Sequence, residues 1–201
     1  MDIFDVTGII LAGGQSSRMG EEKGLALLNR KPLVSYAVDA LKPVCGSLVI
    51  SANNFQKEYE KYGYEVVEDQ IKGIGPMGGV FSCIHRSSTR FNIVMSCDTP
   101  FVTPCLFQYL LDSIENFQAA IPVHDAGFIE PLCGVYATNV IWSLQLSIEK
   151  RNYKMLDFLK DIKYKKVDIH NNLPFYKDDL FVNINTRKDL KSQSAGGNEK
   201  S

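Results

Sequence analysis

Two stretches of this chain hold residues suited to binding phosphate and a hard cation. The first runs Gly8-Ile9-Ile10-Leu11-Ala12-Gly13-Gly14-Gln15-Ser16-Ser17-Arg18-Met19-Gly20 and continues through Glu21-Glu22-Lys23. Here an apolar run passes straight into small residues, and glycines let backbone N–H groups approach a ligand without a Cβ in the way. Arg18 and Lys23 add cations able to neutralise a polyphosphate. The spelling is neither G-x-x-x-x-G-K-[ST] nor G-x-G-x-x-G. The second stretch is Cys97-Asp98-Thr99-Pro100, behind the apolar run Asn92–Ser96. Asp98 is a hard oxygen ligand suited to Mg²⁺ held jointly with phosphates. Taken alone, Asp before Thr-Pro also suits a turn.

Both stretches need a frame. Short apolar runs alternate with helix-like stretches, which predicts an α/β fold, a Rossmann-like, mostly parallel twisted sheet with helices on both faces. Strands are expected at Thr7–Leu11, Leu48–Ser51, Glu65–Glu68, Asn92–Ser96, Ala119–Val123 and Leu132–Tyr136. They are rich in Val, Ile and Leu with little alternation, as in strands buried on both sides. Leu33, Ala37, Val38 and Leu41 fall on one helical face, a second helix follows the Gly73–Gly79 loop, and Thr103-Pro104 opens a third. Val140–Ile148 and Met155–Leu159 also read as helical, with Trp142 expected in the core. In such a sheet, ligands bind at the carboxyl ends of the strands, where both the glycine-rich loop and Asp98 fall.

Composition narrows the classes. The 201 residues suit one domain over 1–190, with a small, polar, disordered tail expected over 191–201. A net charge of −1 gives no sign of a nucleic-acid binder. No run approaches the roughly 20 apolar residues of a membrane span. The five scattered cysteines lack a C-x-x-C pair, so buried free thiols in a reducing cytoplasm are expected. His85, His124 and His170 have no metal-ligand spacing and read as surface or loop residues, His124 being the exception to watch.

The first loop resembles the signature of Rossmann-like nucleotidyltransferases, most closely the molybdenum cofactor guanylyltransferases of the MobA type. The resemblance extends from about Gly8 to Leu190. It implies GMP transfer from GTP to the molybdopterin phosphate, with release of pyrophosphate. Leu11, Ala12, Gly13, Gly14 and Lys23 are then implied to bind the nucleotide, and Lys23, Asp98 and Arg18 to be catalytic, with Asp98 holding Mg²⁺. It makes Asp69 a nucleotide contact, able to accept from a ribose hydroxyl or from guanine N–H groups. Gly75–Gly79 becomes part of the pocket wall. Ser51 stands where the family often has Asn, in Ser51-Ala52-Asn53. Asn183 and Asn185 match an N-[IV]-N-T element associated with the pterin substrate, and Glu130-Pro131-Leu132 sits on the acceptor side. Receiving partners would be molybdoenzymes or cofactor-delivery proteins.

A CTP-dependent relative keeps the chemistry and changes the base. This chain has Ala12-Gly13-Gly14 where cytidylyltransferases acting on the same cofactor usually read A-A-G, and the glycine pair removes side-chain bulk and suits a purine. A non-catalytic nucleotide-binding adaptor would need neither Lys23 nor Asp98.

Overall fold

The computed structural model describes residues 2–13, 22–125 and 127–195. Its strands are β1 (Val6–Leu11), β2 (Leu27–Leu28), β3 (Lys31–Pro32), β4 (Ser47–Ser51), β5 (Glu65–Val67), β6 (Phe91–Ser96), β7 (Ala119–His124), β8 (Phe128–Ile129), β9 (Cys133–Ala137) and β10 (Tyr164–Asp168). The helices are α1 (Leu33–Leu41), α2 (Gln56–Glu60), α3 (Pro76–Arg86), α4 (Pro104–Ser113), α5 (Ile141–Glu149), α6 (Met155–Phe158) and α7 (Arg187–Ala195).

The main sheet runs β10-β7-β9-β6-β1-β4-β5, with β8 paired to β7. Neighbours from β6 to β5 are parallel, as are β10 and β7. Only β9, wedged between β6 and β7, and the short β8 run the other way. The expected mostly parallel sheet with helices on both faces is therefore the one observed.

Period-two alternation explains how both faces are filled. On β1, Val6 and Ile10 join a cluster with α1 and α4, while Ile9 and Leu11 join the opposite cluster with α3, α5 and α6. All six residues of β1 are buried, which is why that strand is apolar on both faces apart from Thr7. A third, smaller cluster holds Ala26, Leu28, Leu33, Ile184 and Leu190. It fastens the β2–β3 hairpin to the start of α7.

Several expectations need correction. The tail expected from Lys191 is helical through Ala195, because α7 packs Leu190 on that third cluster. Edge strand β10 lies outside the expected strands and has no apolar run, since Val167 is its only buried residue. Cys105 is exposed, because Leu106, Phe107, Leu110 and Leu111 take the inward face of α4. The other four thiols are buried, and burial pushes those of Cys45, Cys83 and Cys97 up to about 12.

Trp142 is also outside the core, at 70% exposure. The inward stripe of α5 is Ile141, Leu144 and Ile148, at the i, i+3, i+7 spacing, which turns Trp142 and Leu146 to solvent. Trp142→Ala is therefore expected to change unfolding free energy by less than about 0.5 kcal/mol in a urea titration, against about 3–5 kcal/mol for a core aromatic.

Candidate active site

The ends of adjacent strands are stitched together at the carboxyl edge of the sheet. Cys97 N–H donates to the Leu11 carbonyl at 3.1 Å, and the N–H groups of Ala12 and Gly13 donate to the Ser51 carbonyl at 3.0 and 3.2 Å. Ala52 N–H continues the row onto the Val67 carbonyl at 3.0 Å. Every candidate at a strand end is thereby fixed on one line.

Lys23 lies at the centre of that line. Its Nζ donates to Asp98 Oδ2 at 2.7 Å and to Asn185 Oδ1 at 2.6 Å. The ammonium and carboxylate are only 19% and 17% exposed, so water screens this pair less than a surface pair. Two backbone features bring the partners together. Ile184 N–H donates to the Asp98 carbonyl at 2.8 Å, and the third hydrophobic cluster holds the hairpin after Lys23 against the segment before α7. Thr186 and Asp189 then cap α7 reciprocally: Asp189 N–H donates to Thr186 Oγ1, and Asp189 Oδ2 accepts from the N–H groups of Thr186 and Asn185. Those backbone donors, Asn185 first, hold the Asp189 carboxyl below its usual range.

Asp69 forms a second group at the end of β5. Asn53 Nδ2 donates to Asp69 Oδ2 at 2.9 Å, Ser51 Oγ donates to Oδ1 at 3.4 Å, and Asp69 N–H donates to Asn53 Oδ1 at 2.9 Å. Two glycines of α3 make room for this group. A Cβ on Gly79 would stand 2.4 Å from Ser51 Oγ, and one on Gly78 would stand 2.9 Å from Asp69 Oδ2 and 2.8 Å from the Ile71 carbonyl. The missing Cβ at Gly79 is therefore what admits the Ser51 side chain beside α3.

The expected residues divide as follows. Lys23, Asp98 and Asn185 meet directly. Leu11, Ala12 and Gly13 flank them, and Ser51 and Asp69 form the neighbouring group. Asn183 is exposed, with its amide turned to the Phe181 carbonyl at 3.3 Å, and does not join Lys23. Gly14 and Arg18 lie outside the described residues.

Sequence reading missed Glu22 and Tyr59. Tyr59, fully buried on α2, donates its hydroxyl to Glu22 Oε1 at 3.1 Å and approaches the Ala12 carbonyl at 3.4 Å. One phenol thus touches both ends of the glycine-rich loop. Gly24 allows it to do so, since a Cβ there would lie 2.4 Å from the Tyr59 hydroxyl. No short motif announces this contact; the pairing of a buried Tyr with a buried acid emerges only in three dimensions.

Comparison with known proteins fits this geometry. Residues 8–164 match the model of the MobA-like NTP transferase domain. The chain belongs to that family. A probable molybdenum cofactor guanylyltransferase of Flavobacterium johnsoniae is 33% identical, covering 92% of this chain and 94% of its own length. A molybdenum cofactor guanylyltransferase of Vibrio vulnificus is 33% identical, covering 90% and 91%. The crystal structure of molybdopterin-guanine dinucleotide biosynthesis protein A from Archaeoglobus fulgidus superposes with a TM-score of 0.81 at 26% identity, covering 95% of this chain and 98% of that one. This MobA-like chain is a nucleotidyltransferase, and its matched region contains the loop, Lys23 and Asp98.

Glu22 gives the loop clamp a measurable signature. Burial raises its carboxyl pKa above the ordinary value, partly offset by the Tyr59 hydrogen bond. The native state therefore keeps a proton that the unfolded chain has already released. Glu22's contribution to stability is full below the ordinary carboxylate pKa and is lost as pH rises through the elevated native value. Melts of the wild type and Glu22→Gln between pH 4 and 7 are expected to show a shallower fall in the variant; parallel curves would contradict the elevated pKa.

Proposed function

We propose that this chain transfers GMP from GTP to the terminal phosphate of molybdopterin in the molybdenum cofactor and releases pyrophosphate. The observation that carries the reading is the meeting of Lys23, Asp98 and Asn185 beside the start of the glycine-rich loop, in a chain one-third identical to guanylyltransferases over nearly its whole length. An acceptor phosphate oxygen attacks the α-phosphorus in line. The new bond joins that oxygen to phosphorus, the bond from the α-phosphorus to the bridging oxygen breaks, and pyrophosphate leaves with the electron pair.

This chemistry demands positioning and charge neutralisation rather than a covalent enzyme intermediate. Lys23 is already aimed at the carboxyl edge by two hydrogen bonds, and a triphosphate entering there offers it a more highly charged acceptor. Ser51, Asn53 and Asp69 lie toward β5 and supply the nucleoside end. The Asp69 carboxylate suits the N–H edge of guanine or a ribose hydroxyl. Asp98 fits Mg²⁺, because that ion is typically held by one or two carboxylates and completed by substrate phosphates. Among the described residues no cluster of three or more potential metal ligands forms, so Asp98 matches a shared ion rather than a protein cage. When bound, the ion would offset charge on the phosphates.

Two finer elements belong to the same reading. The product passes to a molybdoenzyme or a cofactor-delivery protein, and the reaction takes place in the cytoplasm, whose reducing conditions suit five free cysteines. No helix among the described residues is long and apolar enough to cross a membrane.

Nucleotide selectivity is the direct test. A ligand that binds only the folded state stabilises it by about 2.7 kcal/mol at 100 times its Kd. GTP with Mg²⁺ is expected to raise the melting temperature more than CTP, ATP or UTP at equal concentration. Equal shifts with GTP and CTP would sink the guanine assignment and leave the fold untouched.

A further inference from the structure

Lys23 is held at its tip by Asp98 and Asn185, and a polyphosphate that engages the ammonium competes with both. What keeps the side chain aimed once those contacts are traded is the hold on its backbone root. Glu22, immediately before it, supplies that hold twice. The Glu22 carbonyl accepts from the N–H groups of Leu25 and Ala26, each at 3.1 Å, which closes the 3₁₀ turn Lys23–Leu25. Its carboxyl accepts from the Tyr59 hydroxyl at 3.1 Å.

Tyr59 is the one buried residue of α2. Its hydroxyl also approaches the Ala12 carbonyl at 3.4 Å, and Ala12 N–H is bonded to the Ser51 carbonyl, so the phenol ties Glu22 to the edge of the sheet itself. Burial pushes the phenol well above its ordinary pKa, which keeps it a donor. A buried tyrosine hydroxyl commonly finds some partner for its own sake. Here it is also packed on Gly24, where a Cβ would stand 2.4 Å away. The residues directly before and after Lys23 therefore both rest on Tyr59.

We propose that Tyr59 is a positioning residue for nucleotidyl transfer, fixing the root of Lys23 through Glu22 and Gly24 so that the ammonium keeps its aim when substrate phosphate replaces Asp98 and Asn185. The contact lies behind the lysine, out of reach of the polyphosphate, so it persists in the substrate-bound state. A root fixed in advance removes part of the ordering cost of capturing the phosphates, which is what preorganisation contributes to binding and transfer. This assignment rests on the phosphate role given to Lys23 under Proposed function and not on the identity of the base.

Calorimetric titration with sodium tripolyphosphate reads the phosphate end without base, acceptor or turnover. Tyr59→Phe keeps the ring that fills the core and is expected to weaken tripolyphosphate binding about tenfold, the scale of one hydrogen bond to a charged group. Should that variant fail to melt cooperatively, Glu22→Ala removes the acceptor instead, with the same loss expected. Glu22→Gln retains an oxygen that accepts from the phenol and is expected to stay within about twofold of the wild type. In the Lys23→Ala background, Tyr59→Phe is expected to cost less than about twofold, because the two residues act as one unit. A general loosening of the core would cost the same with and without Lys23. Equal losses in the two backgrounds, unchanged affinity in folded Tyr59→Phe, or no tripolyphosphate binding by the wild type overturns the proposal. A failure of guanine preference would count against the guanine assignment alone, because tripolyphosphate carries no base.

Discussion

The site depends on one lysine ammonium held between a carboxylate and an amide that are remote in sequence. Asp98 is 75 residues from Lys23, and Asn185 is 162 residues away. A flexible four-carbon stem would rarely rest in one place without such partners. Bringing them together needs the parallel pairing of β1 with β6, which sets Leu11 beside Ser96, and the small core that binds α7 to the hairpin after Lys23. The bulk of the sheet supports that one alignment.

The edge of the sheet divides into three regions. Asp69, Asn53 and Ser51 lie at the ends of β5 and β4, where α3 gives up side chains at Gly78 and Gly79 to admit them. Lys23 and Asp98 lie in the middle, at the ends of β1 and β6. His124, Glu130 and Phe128 lie beyond, where β9 has reversed direction. That reversal has a structural consequence. An antiparallel β9 starts rather than ends at the carboxyl edge, so its preceding turn brings Glu130 and Leu132 to the site without a crossover helix.

Much of this was legible in the sequence because it follows local rules. Strands buried on both faces announce themselves as apolar runs, and a glycine-rich loop behind the first of them marks the ligand edge. Asp98 could be placed on that edge and Asn185 matched to a family element, but neither could be set against Lys23, since no local rule spans such separations. Ser51 stands in place of the family's Asn, and the missing Cβ of Gly79 is what admits its side chain beside α3. Trp142 was misplaced because a helix with apolar residues on several sides does not say which stripe faces inward. Glu22 carries no local signal of burial, and only the path of Tyr59 through the interior makes it a buried acid.

The central claim is that Asp98 acts through its charge at the point where phosphate is transferred. Asp98→Asn keeps the size and turn-forming ability of the side chain and removes only that charge. Pyrophosphate release from GTP in the presence of molybdopterin, measured across Mg²⁺ concentrations, compares the two proteins directly. Turnover in the variant is expected to fall by about 10²–10³-fold, the scale of losing one electrostatic contact to the transition state, with the Mg²⁺ dependence moved to higher concentration. Superimposable Mg²⁺ curves would contradict the metal role of Asp98 and the mechanism built on it.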